Sequence, residues 1–267
     1  MELTAPTRWR CIDFISDLHL QADDLLTFQA WRDYLLHTSA DAVFILGDLF
    51  EVWVGDDILS VDSGFESQCA KILRTATSRT DIFIMHGNRD FLMGSTLMKA
   101  CACTPLSDPA TLQFGQQRWL LTHGDAMCLA DTDYMEFRGR VRNDAWQHNF
   151  LSQSLQARLE QAKAMRRQSE AHKNTGTLYA DVDTTAANAA MDTLSAQHMI
   201  HGHTHKPAKH ALSSKRDRWV LSDWDLRAQP PRVDVLRLRL QDPDNGTATV
   251  ERISPEMACL IEAKPVD

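Results

Sequence analysis

The sequence predicts an α/β fold: two packed sheets with helices on their outer faces and a mostly helical insertion before the fifth core strand. Three observations carry that prediction. Five apolar runs, CIDFIS (11–16), AVFILG (42–47), DIFIMH (81–86), RWLLTH (118–123) and AQHMIH (196–201), have the length and the Ile, Val, Phe or Leu content of buried strands. Segments of helical spacing alternate with the first of them, as in a layered α/β core. Beyond residue 205 the texture changes to short alternating runs, the pattern of antiparallel strands.

CIDFIS is followed by residues 24–37, where Leu25, Phe28, Trp31 or Tyr34, and Leu35 recur at near-helical spacing. AVFILG comes next, and residues 65–77 form a second helical segment leading into DIFIMH. After RWLLTH, residues 126–195 interrupt the strand rhythm with helical composition. There Leu151, Leu155, Leu159 and Ala162 are expected on one helix face, with Arg158, Arg166 and Arg167 elsewhere or at its end. The core is thus expected in residues 1–125 and 196–267, with the insertion of 126–195 placed to overhang the site that the strands build. AQHMIH resumes the core. RWVLSDWD (218–225), RVDVLRLRLQ (232–241) and GTATVERIS (246–254) complete it, split by Pro230-Pro231 and by Asn245-Gly246, a turn expected to join the last two strands.

At 43% hydrophobic and 24% charged, the composition is that of a soluble globular protein. The formal net charge of -8 argues against a nucleic-acid-binding surface, because phosphate contacts need clustered cations. Charge is uneven, however. Residues 134–176 carry eight basic residues (Arg138, Arg140, Arg142, Arg158, Lys163, Arg166, Arg167, Lys173) against four acidic ones (Glu136, Asp144, Glu160, Glu170). The first ten residues hold no apolar stretch of signal-peptide length, and no run approaches the roughly 18 apolar residues of a membrane span, so a cytosolic location is expected. Six cysteines, at 11, 69, 101, 103, 128 and 259, form no CxxC pair and are expected to be reduced and mostly buried.

Each of the five apolar runs ends in potential metal ligands: Asp17-Leu18-His19, Gly47-Asp48, Gly87-Asn88-Arg89-Asp90, His123-Gly124-Asp125 and His201-Gly202-His203-Thr204-His205. In open α/β sheets ligands bind beyond the carboxyl ends of the strands, which would gather the five clusters into one crevice. Asp17 and His19 are two apart, as are His203 and His205, so in extended backbone both side chains of a pair project to the same side. Asp48 has two carboxylate oxygens with which to bridge two ions. Asp, Asn and His together suit Mn²⁺, Fe²⁺ or Zn²⁺, and histidines without a thiolate favour a catalytic site over a structural one. Any single cluster has an ordinary structural explanation. Their shared place after apolar runs singles them out.

The blocks SDLHL, ILGDLFE, HGNRDF, THGD and GHTH, in this order and spacing, resemble the calcineurin-like metallophosphoesterase superfamily. The resemblance implies a two-sheet αββα sandwich with a dinuclear centre: Asp17, His19, Asp48 and His205 around one ion, and Asp48, Asn88, His123 and His203 around the other. It implies hydrolysis by water activated between the ions, with Asp48, Asn88, Arg89, His123 and His203 as the catalytic set. His201 has no ligand role in that pattern and is expected to be structural. Many superfamily members carry His after the Asn, where this chain has Arg89. A guanidinium is a poor proton donor but pairs well with phosphate oxygens, which favours a pyrophosphate over a simple phosphomonoester.

The longer strings GDLFEVWVGDD, HGNRDFLMG, THGDAMCLADTDYMEFR and IHGHTHKPA are similar, more narrowly, to the UDP-2,3-diacylglucosamine pyrophosphatases of lipid A biosynthesis. That resemblance implies cleavage of UDP-2,3-diacylglucosamine to UMP and 2,3-diacylglucosamine 1-phosphate, typically with Mn²⁺, at the cytoplasmic face of the Gram-negative inner membrane. It makes the insertion a lid over the acyl chains, with an apolar face for lipid and cations for phosphate or the membrane surface. Substrate contacts are implied for Asn88, Arg89, Asp131 and His203. Ser169 matches a lid serine, and His172 and Lys173 stand in for its Asn and Lys partners. A monomer is expected. Two other readings are a metal-dependent nucleotide pyrophosphatase or phosphodiesterase on a soluble substrate, and a non-catalytic scaffold, which predicts missing ligands where none is missing.

Overall fold

A computed structural model describes residues 1–61, 63–173, 180–213, 215–241 and 246–260, with the side chains of 166–173 outside that description. The elements run β1 (Glu2–Thr4), β2 (Cys11–Ile15), α1 (Leu25–His37), β3 (Ala42–Leu46), α2 (Phe65–Ala76), β4 (Asp81–Met85), α3 (Ser95–Cys101), β5 (Thr104–Leu106), β6 (Ala110–Phe114) and β7 (Gln117–Thr122). They continue with α4 (Thr132–Val141), α5 (Asp144–Leu151), α6 (Leu155–Lys173), α7 (Thr184–Thr193), β8 (His198–His201), β9 (Ala208–Ser213), β10 (Arg216–Val220), β11 (Val235–Arg239), β12 (Thr249–Ile253) and α8 (Pro255–Ala258).

Two six-stranded sheets form, in the orders β12-β11-β2-β3-β4-β5 and β1-β6-β7-β8-β10-β9. In the first, β2 to β5 are parallel and β11 lies antiparallel to both β2 and β12. In the second, β7, β8 and β10 are parallel. Strand alternation explains the layering, because successive side chains point to opposite faces. Ile12, Phe14, Phe44 and Leu46 face Leu112, Trp119, Leu121 and Ile200 of the other sheet, and all are buried. Their neighbours Ile15, Val43, Ile45 and Ile84 face Trp31, Leu35, Leu73 and Leu97 of the outer helices. Phe44 stacks between Phe14 and Phe83, with centroids at 5.2 and 4.5 Å. On the far side, Ala187 and Met191 of α7 cover Leu120 and Met199. The two-sheet α/β sandwich expected from the sequence is the fold.

The local signals also hold. Asp24 and Asp183 accept from backbone N–H groups of Thr27 and Ala186 and so start α1 and α7. Periodicity did not predict four strands: β1 and β5 have three residues each and lie at sheet edges, β5 containing Pro105, β9 is the edge of the second sheet, and β6 lies inside that sheet between β1 and β7. The last two strands pair antiparallel as expected, but Asn245 of the expected turn lies outside the described residues.

One expectation fails. Leu151, Leu155, Leu159 and Ala162 do not share one helix face, because Ser152 caps the end of α5 and the Ser154 hydroxyl accepts from Ala157 N–H near the start of α6. Serine competes for backbone hydrogen bonds and favours such breaks. Leu155, Leu159 and Ala162 pack on the core, whereas Leu151 is exposed. Of the cations expected off that face or at the helix end, Arg158 turns out to be buried. Arg158, 2% exposed, donates to the carbonyls of Val54 and Gln153 and pairs with Asp57, so it pins α6 to the loop after Asp48.

Candidate metal centre

The strands β2, β3 and β4 of one sheet and β7 and β8 of the other deliver their following loops to one place. Backbone bonds lock these loops together: Asp17 N–H to Gly47 O (3.1 Å), His19 N–H to Asp48 O (3.0 Å) and Gly202 N–H to His123 O (3.0 Å). Seven non-glycine residues have positive φ among the described residues, and five of them are Asp17, His19, Asp48, His203 and His205. Such conformations cost about 1–3 kcal/mol each and persist where the surroundings impose them, as at ligand sites. The loops also need residues without a side chain. Gly47 has φ 91°, and a Cβ there would lie 2.5 Å from His123 Nδ1; one at Gly87 would lie 2.0 Å from Asp48 Oδ1.

The converging donors form two groups, each with its ligand atoms within 4.8 Å of one another: Asp17, His19 and His205, and Asp17, Asp48 and His123. Asn88 joins them through Oδ1, 2.9 Å from His123 Nε2 and 2.8 Å from His203 Nδ1. All seven residues expected to bind metal are therefore brought together. Asp17 belongs to both groups, whereas Asp48 is in the second only.

The histidine environments fit a divalent cation. His19 and His205 point their Nε2 atoms at each other across 3.3 Å, while their Nδ1 atoms lie 3.2 Å from Glu51 and 3.5 Å from Asp223. His123 turns Nδ1 to the Leu46 carbonyl at 2.9 Å. At His123 the carbonyl behind Nδ1 leaves the Nε2 lone pair for a metal, the usual arrangement of ligand histidines, and Glu51 and Asp223 stand on the Nδ1 sides of the other two. Two such lone pairs face to face, beside buried carboxylates, match a cation placed between them.

The electrostatics carry the same imprint. Burial, with Asp90 and Asp17 nearby, pushes the Asp48 carboxyl up to about 7 against the pull of His123. Burial opposes protonation of His123, but Asp48 and Asp17 outweigh it and raise the ring to about 9. His203 is depressed to about 3 by burial and by His123. Burial likewise lowers His201 to about 4; this ring donates from Nδ1 to Gly202 O at 2.8 Å and has no place among the ligands, consistent with a structural role.

Several residues organise the site around its ligands, among them Asp90 and Asp125, which the sequence placed among the potential ligands. Asp90 accepts from the N–H groups of Leu49, Phe50 and Gly87, and Glu51 pairs with both Arg89 and His19. Glu51 stands three residues after Asp48 in ILGDLFE, a signal open to reading. Asp125, fully buried, accepts from the Tyr134 hydroxyl (2.5 Å) and from Arg138 (2.8 Å), so α4 is keyed to the centre. Arg142 donates to Gly87 O at 2.8 Å, and the Tyr134 ring lies 5.8 Å from that of His203. Arg138 and Arg142 thus face inward. Asp131 caps α4, accepting from Tyr134 N–H at 3.1 Å, outside the ligand groups. Ser169, His172 and Lys173 have side chains outside the described residues.

Strand-end carboxylates and histidines on a two-sheet sandwich define a metallophosphoesterase site, and residues 12–207 match the calcineurin-like phosphoesterase family. The chain belongs to that family and is a hydrolase. It is 39% identical over 225 residues to a UDP-2,3-diacylglucosamine hydrolase of Bordetella pertussis, covering 81% of this chain and 87% of that one. Proteins of the same name from Chromobacterium violaceum and Ralstonia nicotianae are 41% and 37% identical, over 80% and 90% of this chain and 90% and 92% of theirs.

Proposed function

We propose that the chain hydrolyses UDP-2,3-diacylglucosamine to UMP and 2,3-diacylglucosamine 1-phosphate (lipid X), a step of lipid A biosynthesis. The observation that carries the chemistry is the convergence of Asp17, His19, Asp48, Asn88, His123, His203 and His205 on one buried edge, five of them in left-handed backbone. The names of the relatives support the substrate. Two divalent ions, most simply Mn²⁺ for this N/O donor set, would supply a water of lowered pKa and neutralise phosphoryl charge.

The chain's own residues do the rest. Arg89, held at the centre by Glu51, exchanges that partner for phosphate oxygens, and His203 and Asn88 orient the group under attack. Asp131, Ser169, His172 and Lys173 contact the substrate from the insertion side. The insertion, which carries exposed Leu129 and Leu151, covers the acyl chains at the cytoplasmic face of the inner membrane, where the protein works as a peripheral monomer. No helix of the described residues is long and apolar enough to cross a membrane.

The test is release of UMP from UDP-2,3-diacylglucosamine with chelator and with added Mn²⁺, against UDP-N-acetylglucosamine and a generic phosphodiester. Metal-dependent preference for the lipid substrate is expected. Preference for either soluble compound would replace this reading with a soluble nucleotide pyrophosphatase or phosphodiesterase.

A further inference from the structure

Glu51 belongs to neither group of converging ligand atoms, yet it is buried between a metal-ligand histidine and the arginine next to Asn88. Its two oxygens face different partners. Oε1 pairs with Nη1 of Arg89, and Oε2 stands 3.2 Å from Nδ1 of His19. We propose that Glu51 is a positioning residue shared between metal and phosphate: capture of a phosphate oxyanion by Arg89 hands the carboxylate to His19 and so tightens the metal site. The inference rests on the proposed reading only as far as a metal centre that takes phosphate, and it is independent of the lipid substrate.

The backbone fixes Glu51 between its partners. Leu20, next to His19, forms an isolated parallel bridge with Phe50. Leu20 N–H donates to Leu49 O at 3.0 Å, Glu51 N–H to Leu20 O at 3.2 Å, and Trp53 N–H to Arg89 O at 3.3 Å. Residues 49–53 are therefore laced to the His19 segment on one side and to Arg89 on the other. The carboxylate can serve both without any movement of its loop.

Burial makes the sharing matter. A buried carboxylate that one partner leaves needs another, and His19 is in place to be it. Its Nδ1 is buried and lacks an aligned hydrogen bond, and of the two carboxylates beside it Glu51 Oε2, at 3.2 Å, is closer than Asp48 Oδ2, at 3.9 Å. A small turn of the imidazole brings the Nδ1–H into line with Oε2. A carboxylate behind a ligand histidine fixes its tautomer and raises its basicity. While Arg89 holds Oε1, part of that charge is neutralised. Once the guanidinium turns to phosphate, with which it pairs as readily, the whole charge acts on His19. Linkage makes the effect reciprocal: a metal ion drawing on His19 loosens the hold of Glu51 on Arg89 and frees it for phosphate.

Binding measurements test this without turnover. Mn²⁺ is titrated into the metal-free protein and inorganic phosphate into the Mn²⁺-loaded protein, for wild type, Glu51→Gln, Arg89→Ala and the double variant, with circular dichroism to establish folding. Gln has the shape of Glu without its charge. Glu51→Gln is expected to weaken Mn²⁺ binding about tenfold and to tighten phosphate binding about threefold, because Arg89 no longer gives up a carboxylate to take it. In the Arg89→Ala background the same change should leave phosphate affinity where it was. A role confined to holding the fold would not tighten phosphate at all. Unchanged Mn²⁺ affinity or unimproved phosphate affinity in Glu51→Gln overturns the proposal. So does an equal gain with and without Arg89, which would mean plain repulsion between Glu51 and phosphate. Glu51→Asp, charged but one methylene too short to reach both partners, guards against a Gln variant that does not fold: it too should bind Mn²⁺ more weakly, and wild-type affinity there overturns the sharing. A wild type that binds both probes and shows these shifts but does not cleave the lipid substrate keeps the role of Glu51 and loses the lipid reading, so the two failures are distinct.

Discussion

Replacing Asp48 by Asn is expected to stabilise the metal-free protein while destroying its response to metal. Asp48 is 2% exposed, and burial together with Asp90 and Asp17 holds its carboxyl up at about 7. Raised above the roughly 3.9 of an unfolded chain, the ionised carboxyl opposes the fold, and His123, which Asp48 holds protonated, returns part of that cost. The sign follows from the direction. A carboxyl raised on folding costs nothing below its unfolded pKa, costs more as pH climbs through the interval, and costs the full amount above its folded value. Asn keeps an oxygen for the Arg89 N–H, which donates to Asp48 Oδ1 at 2.8 Å, but carries no charge. Urea unfolding in chelator at pH 8 should therefore show Asp48→Asn more stable than wild type by about 1 kcal/mol, with the difference vanishing near pH 4. Added Mn²⁺ should reverse the order, because only wild type offers the full anionic site. A metal-free variant no more stable than wild type at pH 8, or equal stabilisation of both proteins by Mn²⁺, would refute the reasoning.

Asn88→Ala and His123→Ala should each lower kcat/KM by at least about 100-fold with the circular dichroism spectrum retained; near-normal turnover in saturating Mn²⁺ would remove them from the site. Gly87→Ala places a Cβ 2.0 Å from Asp48 Oδ1, so calorimetric titration should find metal affinity lost by more than the fold's stability, and unchanged affinity would contradict the close approach. Asp13→Ala leaves Arg237, 1% exposed, without the carboxylate that its Nε and Nη2 reach at 2.7 and 2.9 Å, and should cost about 3–5 kcal/mol in urea unfolding. The double change Asp13→Leu/Arg237→Met should recover most of that loss; a double variant as weak as the single one would show that the buried pair is not what the single change breaks.

Strand pattern and ligand identity were legible one strand at a time. CIDFIS, AVFILG and DIFIMH carry their apolar faces in consecutive residues, and the polar residues that follow them are metal-ligand types whatever the remaining chain does. Interactions between distant segments were not legible. Asp13 sits inside an apolar run, and its partner Arg237 is 224 positions away on a strand that reads as amphipathic. Arg158, expected off the apolar face of its helix, is buried, because Val54 O and Asp57 come to it from a loop far earlier in the chain.

Sequence alone therefore determined the layered α/β class, the seven candidate ligands and the family resemblance, since each rests on residue type and local spacing. Tertiary structure decided the rest. It put Asp17 into both ligand groups, set Glu51 and Asp223 behind His19 and His205, and keyed α4 to Asp125. These are properties of where two sheets meet, and local periodicity holds no information about that meeting. The closure depends on left-handed turns and on glycines whose missing Cβ atoms matter only once the opposing loop is in place.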